Sequence, residues 1–173
     1  MGSILNSFAA GRRLGINIGM ATDTAPPDML MNLLTALITC RISEKASDAV
    51  RSAELFDAAT LGGAKALGRK DIGRLAPGAR ADIAIFRLDD LYMTPSVDPI
   101  TTLVTGGSGK VTQAVFVDGR LSMLEGKIAG IDMVAARRQA QTQFDRLIRK
   151  YPDRSWQHPT VEELFPSSYP LWS

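Results

Sequence analysis

The chain has 173 residues and a net charge of +2, from 20 lysines and arginines against 18 acidic residues, and 45% of it is hydrophobic. This is enough for one solid core or two small subdomains. The scattered cations exclude the basic stripe of a nucleic-acid footprint, no apolar run is long enough to cross a bilayer, and a single cysteine, Cys40, excludes an internal disulfide framework.

Met1-Gly2-Ser3-Ile4-Leu5-Asn6 lacks the basic start and apolar run of a signal peptide, so a cytoplasmic location is expected. Residues 3–13 read as a short helix with Ile4, Leu5 and Phe8 on one face, stopped by Gly15. Ile16, Ile18 and Met20 then alternate, which predicts a buried strand over 16–22. After Pro26-Pro27, Asp28 is placed to cap a helix from Met29 to about Arg41. That helix is apolar on nearly every side, so it is expected to lie buried between other elements.

Residues 43–51 are polar and read as a loop or a frayed helix. A helical stretch from Ala53 to Thr60 follows, then Gly62-Gly63, then a short helix from Ala64 to Leu67 stopped by Gly68. Pro77-Gly78 marks a turn. Ala81–Phe86 reads as a strand buried on both faces.

Residues 87–110 look irregular, with room for a short helix after Pro99. Val111–Val117 is a strand by its β-branched residues, Asp118-Gly119 is a two-residue hairpin signal, and Arg120–Leu124 is the returning strand. Asp132 caps a long amphipathic helix with Met133, Ala136, Ala140, Phe144, Leu147 and Ile148 on one stripe. Its basic residues, Arg137, Arg138, Arg146, Arg149 and Lys150, read as a solvated face and a last turn that suits cations. The tail from Tyr151, rich in proline and aromatic residues, is expected to run as extended chain. This divides the chain into residues 1–70, mostly helical around one strand, residues 71–130, mostly strands, and residues 131–173, a helix and tail.

Asp23 is the residue with the most chemical promise. It sits at the carboxyl end of the predicted strand and faces a loop, which is where parallel α/β barrels carry their chemistry. The plain alternative is a turn carboxylate capping nearby amides. Other candidates are weaker. Asp28 is explained as a helix cap, Cys40 as a buried inert thiol, and Gly62-Gly63 as a place of close packing between helices. Arg80 and Asp82 read as an ordinary surface pair. His158 lies in Trp156-Gln157-His158-Pro159 with no carboxylate or cysteine at ligand spacing. Gly106–Lys110 lacks the glycine spacing and the following Ser or Thr of a phosphate loop.

Three stretches together resemble the C-terminal portion of the metal-dependent amidohydrolase superfamily, in its chlorohydrolase and triazine, pyrimidine and purine aminohydrolase branch. They are Gly15–Thr24 with Pro26-Pro27-Asp28-Met29, then Ala58–Gly68, and then Gly73–Phe86 followed by Val115–Arg120. Their order and spacing match across most of the chain, to about residue 150. The resemblance implies an α/β fold: the C-terminal part of a (β/α)8 hydrolase barrel plus part of a composite β-sandwich. It implies that Asp23 ends the last barrel strand, ligates a divalent metal (zinc or iron) and shuttles a proton from metal-bound water to the leaving group. The substrate implied is a small heterocycle that loses ammonia, an amine or chloride.

The family's metal site also needs a His-x-His pair and further histidines, which this chain, with His158 alone, does not supply. A catalytic zinc takes about three protein ligands, and a whole barrel takes about 250 residues. The expectation is therefore roughly the last third of such a hydrolase, a fragment inactive on its own and holding no metal. A strand and helix that lose their barrel neighbours would expose apolar surface and unpaired edges, so a homo-oligomer is expected. The alternative is a non-catalytic β-sandwich or oligomerisation module.

Overall fold

A computed structural model describes residues 8–23 and 27–169. The chain divides into two compact units, residues 1–126 and 127–173. The division expected between residues 70 and 71 falls inside the first unit.

In the first unit, α1 (Phe8–Arg13) leads into α2 (Met29–Glu44). Asp28 caps α2: Oδ1 accepts from the Leu30 and Met31 amides at 3.0 and 3.3 Å. Oδ2 accepts from the Gly109 amide at 2.7 Å, so the same carboxylate ties a distant loop to the helix start. Lys45, in the left-handed region at φ 54°, ends the helix. Leu30, Leu33 and Leu37, three or four residues apart, form its buried face. They meet Val50, Leu55, Met93, Leu103, Val104 and Val111 in one core. The opposite side of α2 is bare, with Ile38 and Ile42 49% and 69% exposed. The expected burial on all sides is not observed, because among the described residues the side of α2 bearing Ile38 and Ile42 is left uncovered.

A continuous helical rod follows. It comprises α3 (Ser52–Asp57), a π-helical turn (Ala58–Gly62) and α4 (Gly63–Ala66). The expected break at Gly62-Gly63 does not occur. Both glycines keep right-handed helical angles, and the chain widens into a π-turn instead of stopping. Gly68, at φ 67°, follows the rod.

The sheet of this unit is antiparallel. β1 (Ile83–Phe86) pairs with β2 (Thr112–Val117), Ile83 opposite Phe116 and Ile85 opposite Ala114. β2 pairs with β3 (Arg120–Leu124), Val117 opposite Arg120. Asp118 and Gly119 turn the hairpin at φ 51° and 76°, the two positive angles that a tight primed turn requires. The sequence pattern predicts burial of β1 on both faces, yet Ile85 is 43% exposed and Ala84 is exposed too, while Ile83 and Phe86 are half-buried, so each face is covered only in part. Between β1 and β2 the chain forms α5 (Pro99–Gly106), capped by Asp98, whose carboxyl is held below its ordinary pKa by hydrogen bonds from Thr101 and Ile100.

A surface network joins the loop before β1 to the hairpin. Arg69 grips Asp71 with two hydrogen bonds at 3.0 and 2.6 Å. Arg80 reaches both Asp71 (3.3 Å) and Asp118 (2.8 Å). Asp82 accepts from the Asp118 amide at 2.7 Å. The expected Arg80–Asp82 pair is therefore not formed, because each side chain has a better-placed partner on the hairpin or the loop. Asp71 is pushed down from 3.8 to about 2, chiefly by the Arg69 hydrogen bonds.

The second unit holds the two-residue strand β4 (Lys127–Ile128), α6 (Met133–Arg154) and α7 (Val161–Leu164). Asp132 caps α6 as expected, accepting from Val134 and Ala135. The tail is not wholly extended. Thr160 and Glu163 form a reciprocal capping box that starts α7, and Phe165 packs edge-on against Tyr151 with ring centres 5.7 Å apart. No helix among the described residues is long and apolar enough to cross a membrane.

Candidate functional site

Residues 16–22 do not form a strand. A strand exists only through pairing, and here the helices take that role. The Ile16 amide donates to Gly11 O at 3.0 Å, and the Met20 amide donates to Ala58 O at 3.1 Å. The segment runs extended along the π-turn and ends at Asp23. Asp23 is exposed and stands in the left-handed region at φ 57°. That conformation is uncommon outside glycine, and aspartate is among the residues that tolerate it. Residues 24–26, including Pro26, lie outside the described residues, as does the start of the first predicted helix.

Side chains complete the seat of the segment. Asn17 Nδ2 donates to Gly62 O at 3.0 Å. Asn32 Nδ2, from the first turns of α2, donates to Ala21 O. A Cβ at Gly62 would collide with the Ile18 carbonyl oxygen, and a Cβ at Gly19 would sit 3.5 Å from Gly63 Cα. Gly62 thus serves close packing against the extended segment, and not between helices as the sequence suggests, whereas a Cβ at Gly63 would meet open space. Sequence reasoning alone misses Asn17, Asn32 and this use of Gly62. Their only signal is a polar residue breaking an apolar stretch.

An open cleft of about 570 Å³ lies between the sheet and the helices, and no residue of the 16–23 segment lines it. Its walls include Leu30, Leu33, Phe56, Ala84, Phe86 and Val115, with Asp28 and Arg74 among the few charged groups. Asp28 is committed to its cap and to Gly109, so it is not a free ligand.

The remaining candidates each have surroundings of their own. The Cys40 thiol is half-buried on α2, pushed up by burial and then by the charge of Glu44, as suits an unreactive thiol. His158 belongs to the second unit, with Nδ1 3.1 Å from Pro152 O. Gly109 and Lys110 lie in a single turn of 3₁₀ helix that leads into β2. Among the described residues, no three of His, Cys, Asp and Glu come together as a metal centre. One exposed carboxylate does not fit a catalytic zinc by itself.

The sequence pattern of the amidohydrolase family matches residues 6–122, more than half of the chain. The chain belongs to the amidohydrolase family. It is 34% identical over 127 residues to an 8-oxoguanine deaminase of Pseudomonas aeruginosa, covering 73% of this chain and 28% of that protein. It is 33% identical over 118 residues to a 5'-deoxyadenosine deaminase of Methanothermobacter thermautotrophicus, covering 66% of this chain and 27% of that protein.

Among solved structures, it superposes on a zinc-bound adenosine deaminase from Xanthomonas campestris with a TM-score of 0.76 at 27% identity, covering 80% of this chain and 33% of that one. An atrazine chlorohydrolase from Arthrobacter aurescens complexed with zinc gives 0.68 at 26% identity, covering 78% and 31%. The chain thus spans about a third or less of the length of these relatives. The fold is α/β with a small sheet, shared with part of a hydrolase.

Proposed function

We propose that this chain supplies the C-terminal third of a metal-dependent amidohydrolase that cleaves a C–N or C–Cl bond on a heterocycle, and that it is inactive alone. The observation that carries the reading is Asp23. It is an exposed carboxylate in a left-handed conformation, at the end of an extended segment inside the region matched by the family. In this reading Asp23 is the carboxylate that the chain brings to a metal centre whose other ligands lie in the remainder of the fold. Its relatives include deaminases and a chlorohydrolase, which supports a purine or triazine ring as substrate. The bare side of α2 and the apolar cleft support a surface that the rest of the fold covers.

The test is a chimera in which this chain replaces the matching region of the Pseudomonas deaminase. Zinc loading and purine deamination are expected. Asp23→Asn in the folded chimera should lower turnover roughly 10²–10⁴-fold, the usual worth of a positioned acid–base group. Full turnover by that variant, or turnover by this chain alone with zinc, would sink the reading.

Without that cover, the chain is expected to associate through the surface around Leu14, Ile16, Ile38 and Ile42, all exposed. Light scattering should find a dimer or larger species. A monodisperse monomer at high concentration contradicts this.

A further inference from the structure

The segment that ends at Asp23 has no strand beside it among the described residues, yet it is held at several points. Two of these are carbonyls of the π-turn that are used outside the helix: Ala58 O takes the Met20 amide (3.1 Å) and Gly62 O takes Asn17 Nδ2 (3.0 Å). A third is the side-chain amide of Asn32 on α2, which holds Ala21 O, two residues before Asp23. The fourth is steric. The backbone at Ile18 approaches Gly62 so closely that no Cβ fits between them.

A π-turn is rare and tends to occur at functional sites. Here it lies beneath the chain leading to the one candidate reactive carboxylate. An ordinary α-turn carrying a side chain at position 62 could not accept this backbone approach. The Asn17 and Asn32 bonds tie the segment to two different helical elements, so its translation along either is blocked.

We propose that Asn17, Asn32 and Gly62 are positioning residues for Asp23, fixing residues 17–21 on the π-turn and α2 so that the carboxylate is placed before any neighbouring strand pairs with it. This rests on Asp23 being the reactive carboxylate, but its test needs neither metal nor substrate. The clamp and the function can therefore fail separately.

The experiment is NMR on the full chain. In the unaltered chain the Asp23 amide order parameter is expected near the rigid range, about 0.85, and the Met20 amide is expected to be protected from exchange. In Asn17→Ala/Asn32→Ala, Met20 exchange should rise at least ~10-fold and the Asp23 order parameter should fall below about 0.6. Amides of Leu33, Leu55 and Val115 should keep their exchange rates, which separates loss of the clamp from loss of the fold. Asn17→Gln, which keeps the donor, should restore part of the Met20 protection relative to Asn17→Ala.

Should the double variant not fold, Asn32→Asp alone, which keeps the side-chain size and removes the donor, reports the same two quantities. An unaltered chain whose Asp23 moves like a chain end overturns the proposal. So does a folded variant that loses Met20 protection while Asp23 stays rigid, because the position of Asp23 would then be set elsewhere.

Discussion

The segment 16–22 and the hairpin 112–124 both carry apolar residues, yet only the hairpin is a strand pair. In the hairpin, partner strands are joined by two residues, so each backbone group finds its mate a few positions away, Val117 facing Arg120 and Ala114 facing Leu124. Among the described residues the segment has no such neighbour. Its amides bond to helix carbonyls, and Ile16 is left 57% exposed. The difference lies in where the partner is encoded: a hairpin is locally complete, whereas an extended segment without a hairpin mate depends on chain far away in sequence.

A pair of glycine substitutions sharpens this contrast. Gly62→Ala forces a methyl into the Ile18 carbonyl, and both groups belong to backbone that is pinned. The expected loss is about 1–3 kcal/mol, the range for overpacking a closed contact, with increased exchange confined to residues 16–23. Gly119→Ala places alanine at φ 76° in a turn with no close atom, the nearest being Ala81 Cβ at 3.9 Å. Its cost should be about 1 kcal/mol, from backbone conformation alone, and should act on the hairpin. Urea unfolding compares the sizes, and hydrogen exchange assigns the regions. Equal losses, or loosening of the hairpin by Gly62→Ala, would break the comparison.

The same distinction explains what could be read from the sequence. The caps Asp28 and Asp132, the Asp118-Gly119 turn and the helix after Pro99 all follow from rules spanning a few residues, and each forms as expected. The strand at 16–22, the burial of both faces of β1 and the enclosure of α2 required neighbours that those rules do not supply. The candidate site reads from the sequence as one carboxylate, Asp23. Its seat does not, because the contacts that hold the segment join residues as far apart as Asn17 and Gly62, 45 positions away in sequence. The π-turn also defeats the pattern, since consecutive glycines in a helical stretch read as a stop. Here close packing with Ile18 and Gly19 gives the helix a reason to continue.

The hairpin in turn depends on a non-local contact, and its strength tests how far local completeness goes. Arg80 links Asp118 in the turn to Asp71 in the loop before β1. The carboxyl of Asp71 lies at about 2 in the folded chain against 3.8 as its ordinary value, the Arg69 hydrogen bonds being the largest cause. A depressed carboxyl stabilises the fold above its unfolded value and loses that contribution as pH falls through the folded one. The window is therefore from about 3.8 down to about 2. Asp71→Asn removes the contribution at every pH. Its melting temperature should be slightly below that of the unaltered chain at pH 6, with the difference closing below pH 2.

This effect should be smaller than that of either glycine substitution, since the network is exposed to solvent and salt screens it. Adding salt at pH 6 should narrow the same difference. If the gap instead persists at low pH and high salt, the hairpin depends on the shape of that loop and not on its charges. The local pairing of β2 with β3 would then be less self-sufficient than its register suggests.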